Sequence, residues 1–197
     1  MRHKIFSRLR RFISALLALC VLVAASLWAT SLALEPVGIV DGEAPDPANH
    51  PEAVVQVYGA DVWGFRGNFA IHTWIATKAE NAGTYKIYQV IGWRLRRGRP
   101  VVSISEGNPA RPWYGSPAIL LHERRGSEAG LLIERIDTAV DSYPFPNEYK
   151  MWPGPNSNSF MAWIALEVPE LGLRLPAKAI GQSWMNSEYR RVAEARR

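Results

Sequence analysis

Two short runs in this 197-residue chain hold side chains capable of nucleophilic or acid–base chemistry. One is Trp152-Pro-Gly-Pro-Asn-Ser-Asn-Ser-Phe160, which leads straight into the apolar run Met161 to Val168. Two prolines and a glycine make the approach extended or turning, and the Asn-Ser-Asn-Ser cluster offers side-chain oxygens to the free N–H groups of a starting helix. Such an entrance also stabilises negative charge. Ser157 is therefore a candidate nucleophile, with the adjacent amides as oxyanion donors. The helix dipole contributes only about 1–2 kcal/mol, too little to ionise a hydroxyl without a base beside it. The base this chain offers is His72, in Asn68-Phe-Ala-Ile-His-Thr-Trp-Ile-Ala-Thr77. Gln89, Tyr88 or Glu148 would orient its imidazole. Asn and Ser are equally the favoured N-cap residues, and a lone histidine among apolar strand neighbours is commonly a hydrogen-bonded core residue. A purely structural role for both runs stays open beside the chemical one.

These side chains can meet only if the elements around them bring them together. Ala53 to Tyr58 is rich in β-branched and aromatic residues and predicts a first strand. Asn68 to Thr77 and Thr84 to Trp93 flank the polar break Asn81-Ala-Gly83 and predict a β-hairpin with His72 in its first arm. A basic turn, Arg94 to Pro100, and a short strand, Val101 to Ile104, follow. The turn reads as a solvated loop, with contact to anionic headgroups as the other reading. Asn108 to Pro117 is irregular and contains Trp113-Tyr114. Ala118 to Glu123 is a short strand or turn. Ser127 to Ser142 carries apolar residues at 129, 132, 136, 139 and 140, the spacing of one helical face, and ends at Tyr143-Pro-Phe-Pro146. Asn158 to Val168 is the second helix, and Leu132, Ile136, Phe160 and Ile164 are its and its neighbour's expected core residues. The expected fold class is α+β: an antiparallel sheet with two or more packed helices, in a domain over residues 52–185, followed by a charged tail, 186–197, that can end as a frayed helix.

Charge and address restrict the function further. Five of the 23 basic residues precede position 12, where no acid occurs, leaving 18 basic residues against 18 acids in the remainder. The folded part is neutral, so the basic stripe that a phosphate backbone requires is missing and no nucleic-acid partner is expected. Residues 12–34 carry no charge, and about 20 apolar residues cross a bilayer as a helix. The expectation is an N-terminal transmembrane helix, single-pass in the inner membrane, with cations holding its start in the cytoplasm and the domain periplasmic or otherwise extracytoplasmic. A signal peptide cut after Ser31-Leu32-Ala33 is the competing reading. Residues 35–51, with four prolines, read as a semi-extended tether that buries nothing. The single cysteine, Cys20, lies in the apolar run, so the domain has neither disulfide nor thiol nucleophile. His3, His50, His72 and His122 show no metal-ligand spacing, and no glycine-rich phosphate loop occurs, so neither metal nor cofactor is expected.

Val57-Tyr-Gly-Ala60, Trp63-Gly64, His72-Thr-Trp74, Gly92-Trp93, the Trp152 to Phe160 string and Pro169-Glu-Leu-Gly172 together resemble a bacterial family known only as a domain of unknown function, DUF3750. More distantly, a strand histidine, a hairpin, then Asn-X-Asn-X-Phe opening a helix is similar to the circularly permuted papain-like hydrolases, including the lecithin-retinol acyltransferase-like group. That resemblance implies a papain-like groove with a nucleophile at position 157, where those enzymes have cysteine and this chain has serine, and His72 as base. Two functions follow. One is a non-catalytic envelope module binding a peptide or glycan through Trp74, Trp152, Asn156 and Asn158. The other is a serine-variant hydrolase or acyltransferase acting on an envelope amide or ester.

Overall fold

A computed structural model describes residues 44–195. The expected transmembrane segment, 12–34, and the first part of the tether lie outside the described residues. Among the described residues no helix is long and apolar enough to cross a membrane.

Five strands form one sheet: β1 (Val54–Asp61), β2 (Ile71–Lys78), β3 (Tyr85–Val90), β4 (Val102–Gly107) and β5 (Ile119–Arg125). Their spatial order is β4-β3-β2-β1-β5, and every neighbouring pair is antiparallel. The predicted hairpin is β2–β3. The short segment at 118–123 is a full strand, and it pairs with β1 across the sheet with Leu121 as an extra residue between the His122 and Leu120 pairings. Three helices follow: α1 (Ser127–Asp141), α2 (Ser157–Glu167) and α3 (Gln182–Ala195).

Both faces of the central strands are covered, so every residue of β2 and all but the last of β1 are buried. On one face, Val55, Val57, Ile75, Tyr88 and Val90 pack beneath the helices, against Leu132, Ile136, Phe160, Met161 and Ile164. On the other, Val54, Tyr58, Trp74, Ala76 and Ile87 form a second cluster, closed by Ala110, Trp113 and Ala118 of the 108–118 loop. The hydroxyl of Tyr88 reaches Asp137 of α1 and ties helix to sheet. The four residues expected at the core, Leu132, Ile136, Phe160 and Ile164, are all buried.

Two expectations change. The end of the tether is part of the domain: Pro45 is buried, its carbonyl accepts from the Tyr85 hydroxyl at 2.9 Å, and Ala44 packs against the second cluster. The C-terminal segment is likewise no charged appendage. α3 begins at Gln182, buries Met185, and packs Trp184, Tyr189 and Val192 against the core, because its apolar residues recur at helical spacing among the charges.

Candidate functional site: the helix entrance and the aromatic end of the sheet

The entrance to α2 is built by Asn156. Its Oδ1 accepts from the backbone N–H groups of Asn158 at 3.0 Å and Ser159 at 3.1 Å, the N-cap arrangement expected of this residue type. Its Nδ2 donates to the carbonyls of Met151 and Ile180, fastening the Pro-rich approach and the 180–181 turn to the helix. Asn158 reaches the sheet: its Oδ1 accepts from the Thr73 hydroxyl at 2.8 Å and its Nδ2 donates to Ile71 and Ile180 carbonyls. Ser159 donates to the Gly181 carbonyl at 2.9 Å. Gly181 has φ of +108°, and a Cβ there would lie 2.4 Å from Asn156 Nδ2, so only glycine permits this closure.

Ser157 is the exception within this run. Its hydroxyl makes no hydrogen bond to the described residues and is not among the sealed polar atoms, although the residue is only 4% exposed. Its N–H sits at the first helical position and is capped by nothing, while Asn156 already occupies the next two amides. The expected pair of oxyanion donors is thus reduced to one free N–H.

His72 stands on β2 next to Thr73, and side chains alternate along a strand. Thr73 takes the helix side and bonds Asn158. His72 turns to the other face, where its ring stacks on Trp113 with centroids 3.8 Å apart. Its Nε2 donates to Gln89 Oε1 at 3.2 Å, which leaves Nδ1 as the acceptor nitrogen. Burial lowers its pKa to about 4, with the Gln89 bond opposing that shift. No hydrogen bond joins His72 to Ser157, because it is Thr73 that the strand presents to the helix entrance. Gln89 is the group that orients the imidazole. Tyr88 faces the helices and bonds Asp137, and Glu148 is exposed and acts on Tyr143.

The binding residues divide. Trp152 is 77% exposed, whereas Trp74, Asn156 and Asn158 are buried. Trp74 stacks on Tyr58 and donates Nε1 to the Pro109 carbonyl, and the two asparagines have their amides committed within the chain. The two asparagines position the entrance, and Trp74 holds the 108–118 loop on the opposite face of the sheet. The residues that the sequence reading left out of the site are Thr73, Trp93, Trp113 and Tyr114. Trp113 touches His72, Trp93 and Tyr114 in one aromatic group. The Trp113-Tyr114 pair inside a proline-rich loop was the available signal. Among the described residues no group of three His, Cys, Asp or Glu side chains could hold a metal.

The family model described as a protein of unknown function (DUF3750) matches residues 52–184, and the chain belongs to that family. No curated protein and no solved structure matches it.

Proposed function

We propose that this member of the family is a membrane-tethered envelope protein, held in the inner membrane through residues 12–34, whose extracytoplasmic domain binds a peptide or glycan without catalysis. The ligand lies across the α2 entrance, against Trp152 and the Trp93, Trp113 and Tyr114 group. The observation that supports this reading is the state of His72, stacked, neutral at physiological pH and bonded to Gln89, with no link to Ser157. Exposed aromatic rings supply large contact area at little entropic cost, and the Ser157 hydroxyl and N–H supply a polar anchor. Titrating envelope peptides and glycan fragments into the solubilised full chain, followed by tryptophan fluorescence, tests it. Trp152→Ala should weaken binding at least about tenfold with an unchanged melting temperature. Equal affinity in wild type and variant refutes the assignment.

A serine-variant papain-like hydrolase or acyltransferase is the second reading, supported by the uncommitted Ser157 hydroxyl and by the Nδ1 acceptor that the Gln89 bond leaves on His72. It requires a rearrangement at the start of β2 that carries the imidazole from the far face of the sheet to within hydrogen-bond reach of the hydroxyl. A serine-directed fluorophosphonate should then label wild type and fail to label His72→Ala. Absence of label from both favours the binding module.

A further inference from the structure

The end of the sheet that holds the α2 entrance differs in chemistry from the opposite end. Here β1 finishes, β2 starts, β3 finishes and β4 and β5 start, as the pairings Asp61 with Ile71, Val90 with Val102 and Gly59 with Ile119 show. Asn158 bonds Ile71, so α2 starts here too. Residues 62–70 and 91–101 connect strands at this end, residues 142–156 pass it, and the 108–118 loop reaches it where Trp113 stacks on His72. Together these four segments hold seven Lys and Arg residues and one acid, Glu148. At the opposite end, segments 44–53 and 79–84 hold Asp46, Glu52 and Glu80 and no Lys or Arg. The connecting segments at the two ends of the sheet thus differ in sign although the sequence is neutral, with Arg125 closing β5 beside Glu52 at the acidic end.

The same four segments carry most of the exposed large apolar side chains, and in each a cation stands within three positions of an aromatic. Phe65 precedes Arg66, Trp93 precedes Arg94, Arg111 precedes Trp113-Tyr114, and Lys150 precedes Met151-Trp152. Phe65 is 74% exposed and packs edge-on against exposed Phe69. Arg94 is used by its own turn, donating Nε to the Pro100 carbonyl at 2.7 Å. Arg96, Arg97 and Arg99 are exposed, and their side chains make no hydrogen bond or ion pair with the described residues.

We propose that this aromatic and cationic end docks on an anionic phospholipid bilayer, with Phe65 and Phe69 at headgroup level and Arg96, Arg97 and Arg99 on the phosphates. Charge complementarity selects the anion, and the rings select the bilayer. Amphipathic aromatic side chains settle at the membrane–water interface, and basic side chains near an anionic leaflet add to that attraction. A soluble polyanion would engage the arginines and leave the rings in water. The docking uses residues other than the Trp152 contact tested above, so either can fail without the other. It also turns the α2 entrance toward the lipid, which makes a ligand presented from the membrane the one that site meets.

The test uses the full chain with Cys20→Ser and a single environment-sensitive fluorophore at Asn68→Cys or, at the acidic end, at Glu80→Cys. Each is mixed with vesicles of phosphatidylcholine alone or with added phosphatidylglycerol, both containing a headgroup-level quencher. Quenching at position 68, absent at position 80, should appear with phosphatidylglycerol and fade with salt. Arg96, Arg97 and Arg99→Gln together should lower the docked-to-free ratio on the order of 100-fold, and Phe65→Ser with Phe69→Ser should lower it while leaving the salt dependence in place. The variants within the described residues all lie at exposed positions, and an unchanged melting temperature establishes that they fold. Equal quenching at both positions, or quenching at 68 that ignores phosphatidylglycerol and the three arginines, overturns the proposal. So does arginine-dependent binding of soluble polyphosphate by a chain whose position 68 stays unquenched on vesicles.

Discussion

Asn156 commits every polar atom of its side chain to the chain itself, joining the approach, the helix start and the 180–181 turn. Asn156→Ala removes a cap of about 1 kcal/mol and takes the donor from the part-buried Met151 carbonyl, while the Ile180 carbonyl keeps the Asn158 amide, so a loss of roughly 1–2 kcal/mol is expected, measured by urea unfolding. His72 makes stability depend on pH. Its folded pKa of about 4 lies below the 6.5 of an exposed imidazole, so between these values the folded protein holds fewer protons than the unfolded chain. Stability is complete above pH 6.5 and falls as pH drops toward 4, by roughly 3 kcal/mol for this group. His72→Phe, which retains an aromatic ring for Trp113, should flatten that decline when unfolding is followed across the range. His122, also shifted down by burial, adds to the residual slope in the same direction. At this scale the cap was legible, because Asn before Ser-Asn-Ser has a local purpose. The partners Thr73, Ile180 and Gly181 were not, since side-chain bonds across 22 to 87 positions leave no periodic trace.

α2 shows what a segment records of its surroundings. Its residues from Ser157 to Ile164 are all buried, so apolar side chains appear around the whole helix and no single face stands out. α1 keeps an exposed side and displays its spacing openly. Ile164→Asp places an unpaired charge where nothing can solvate it, costing several kcal/mol, comparable with the stability of a whole domain. Loss of the cooperative thermal transition is the expected outcome, and an unshifted melting temperature would contradict the burial of this position. Strands β1 to β4 follow the order a reader of the sequence expects, through short connections. β5 does not: it crosses to pair with β1, a choice made by the outer edge of β1 and by α1, whose N-cap residue Gly126 has its N–H on the Ala53 carbonyl. The alternation of Thr73 and His72 was equally readable in principle. What could not be read was which face the helix would cover, and that decided which of the two meets Asn158.

The address assigned to the whole chain rests on residues 1–34 and is open to a direct check. Alkaline phosphatase fused to the C-terminus should be active in intact cells, and the protein should remain with the membrane fraction after lysis. An inactive fusion rejects the orientation, and recovery as a soluble periplasmic protein rejects the retained anchor. Residues 35–197 carry equal numbers of basic and acidic side chains, yet the connecting segments at the two ends of the sheet differ in sign. Within a Debye length of a charged plane, about 8 Å at physiological salt, such a body has little net charge for the plane to attract or repel. Its electric dipole, however, feels a torque in the same field. The domain is therefore turned before it is drawn in, and its first collisions with an anionic plane are biased toward one orientation. Raising the ionic strength shortens the distance over which that alignment acts, so encounters become rotationally random and the orientation must be found after contact.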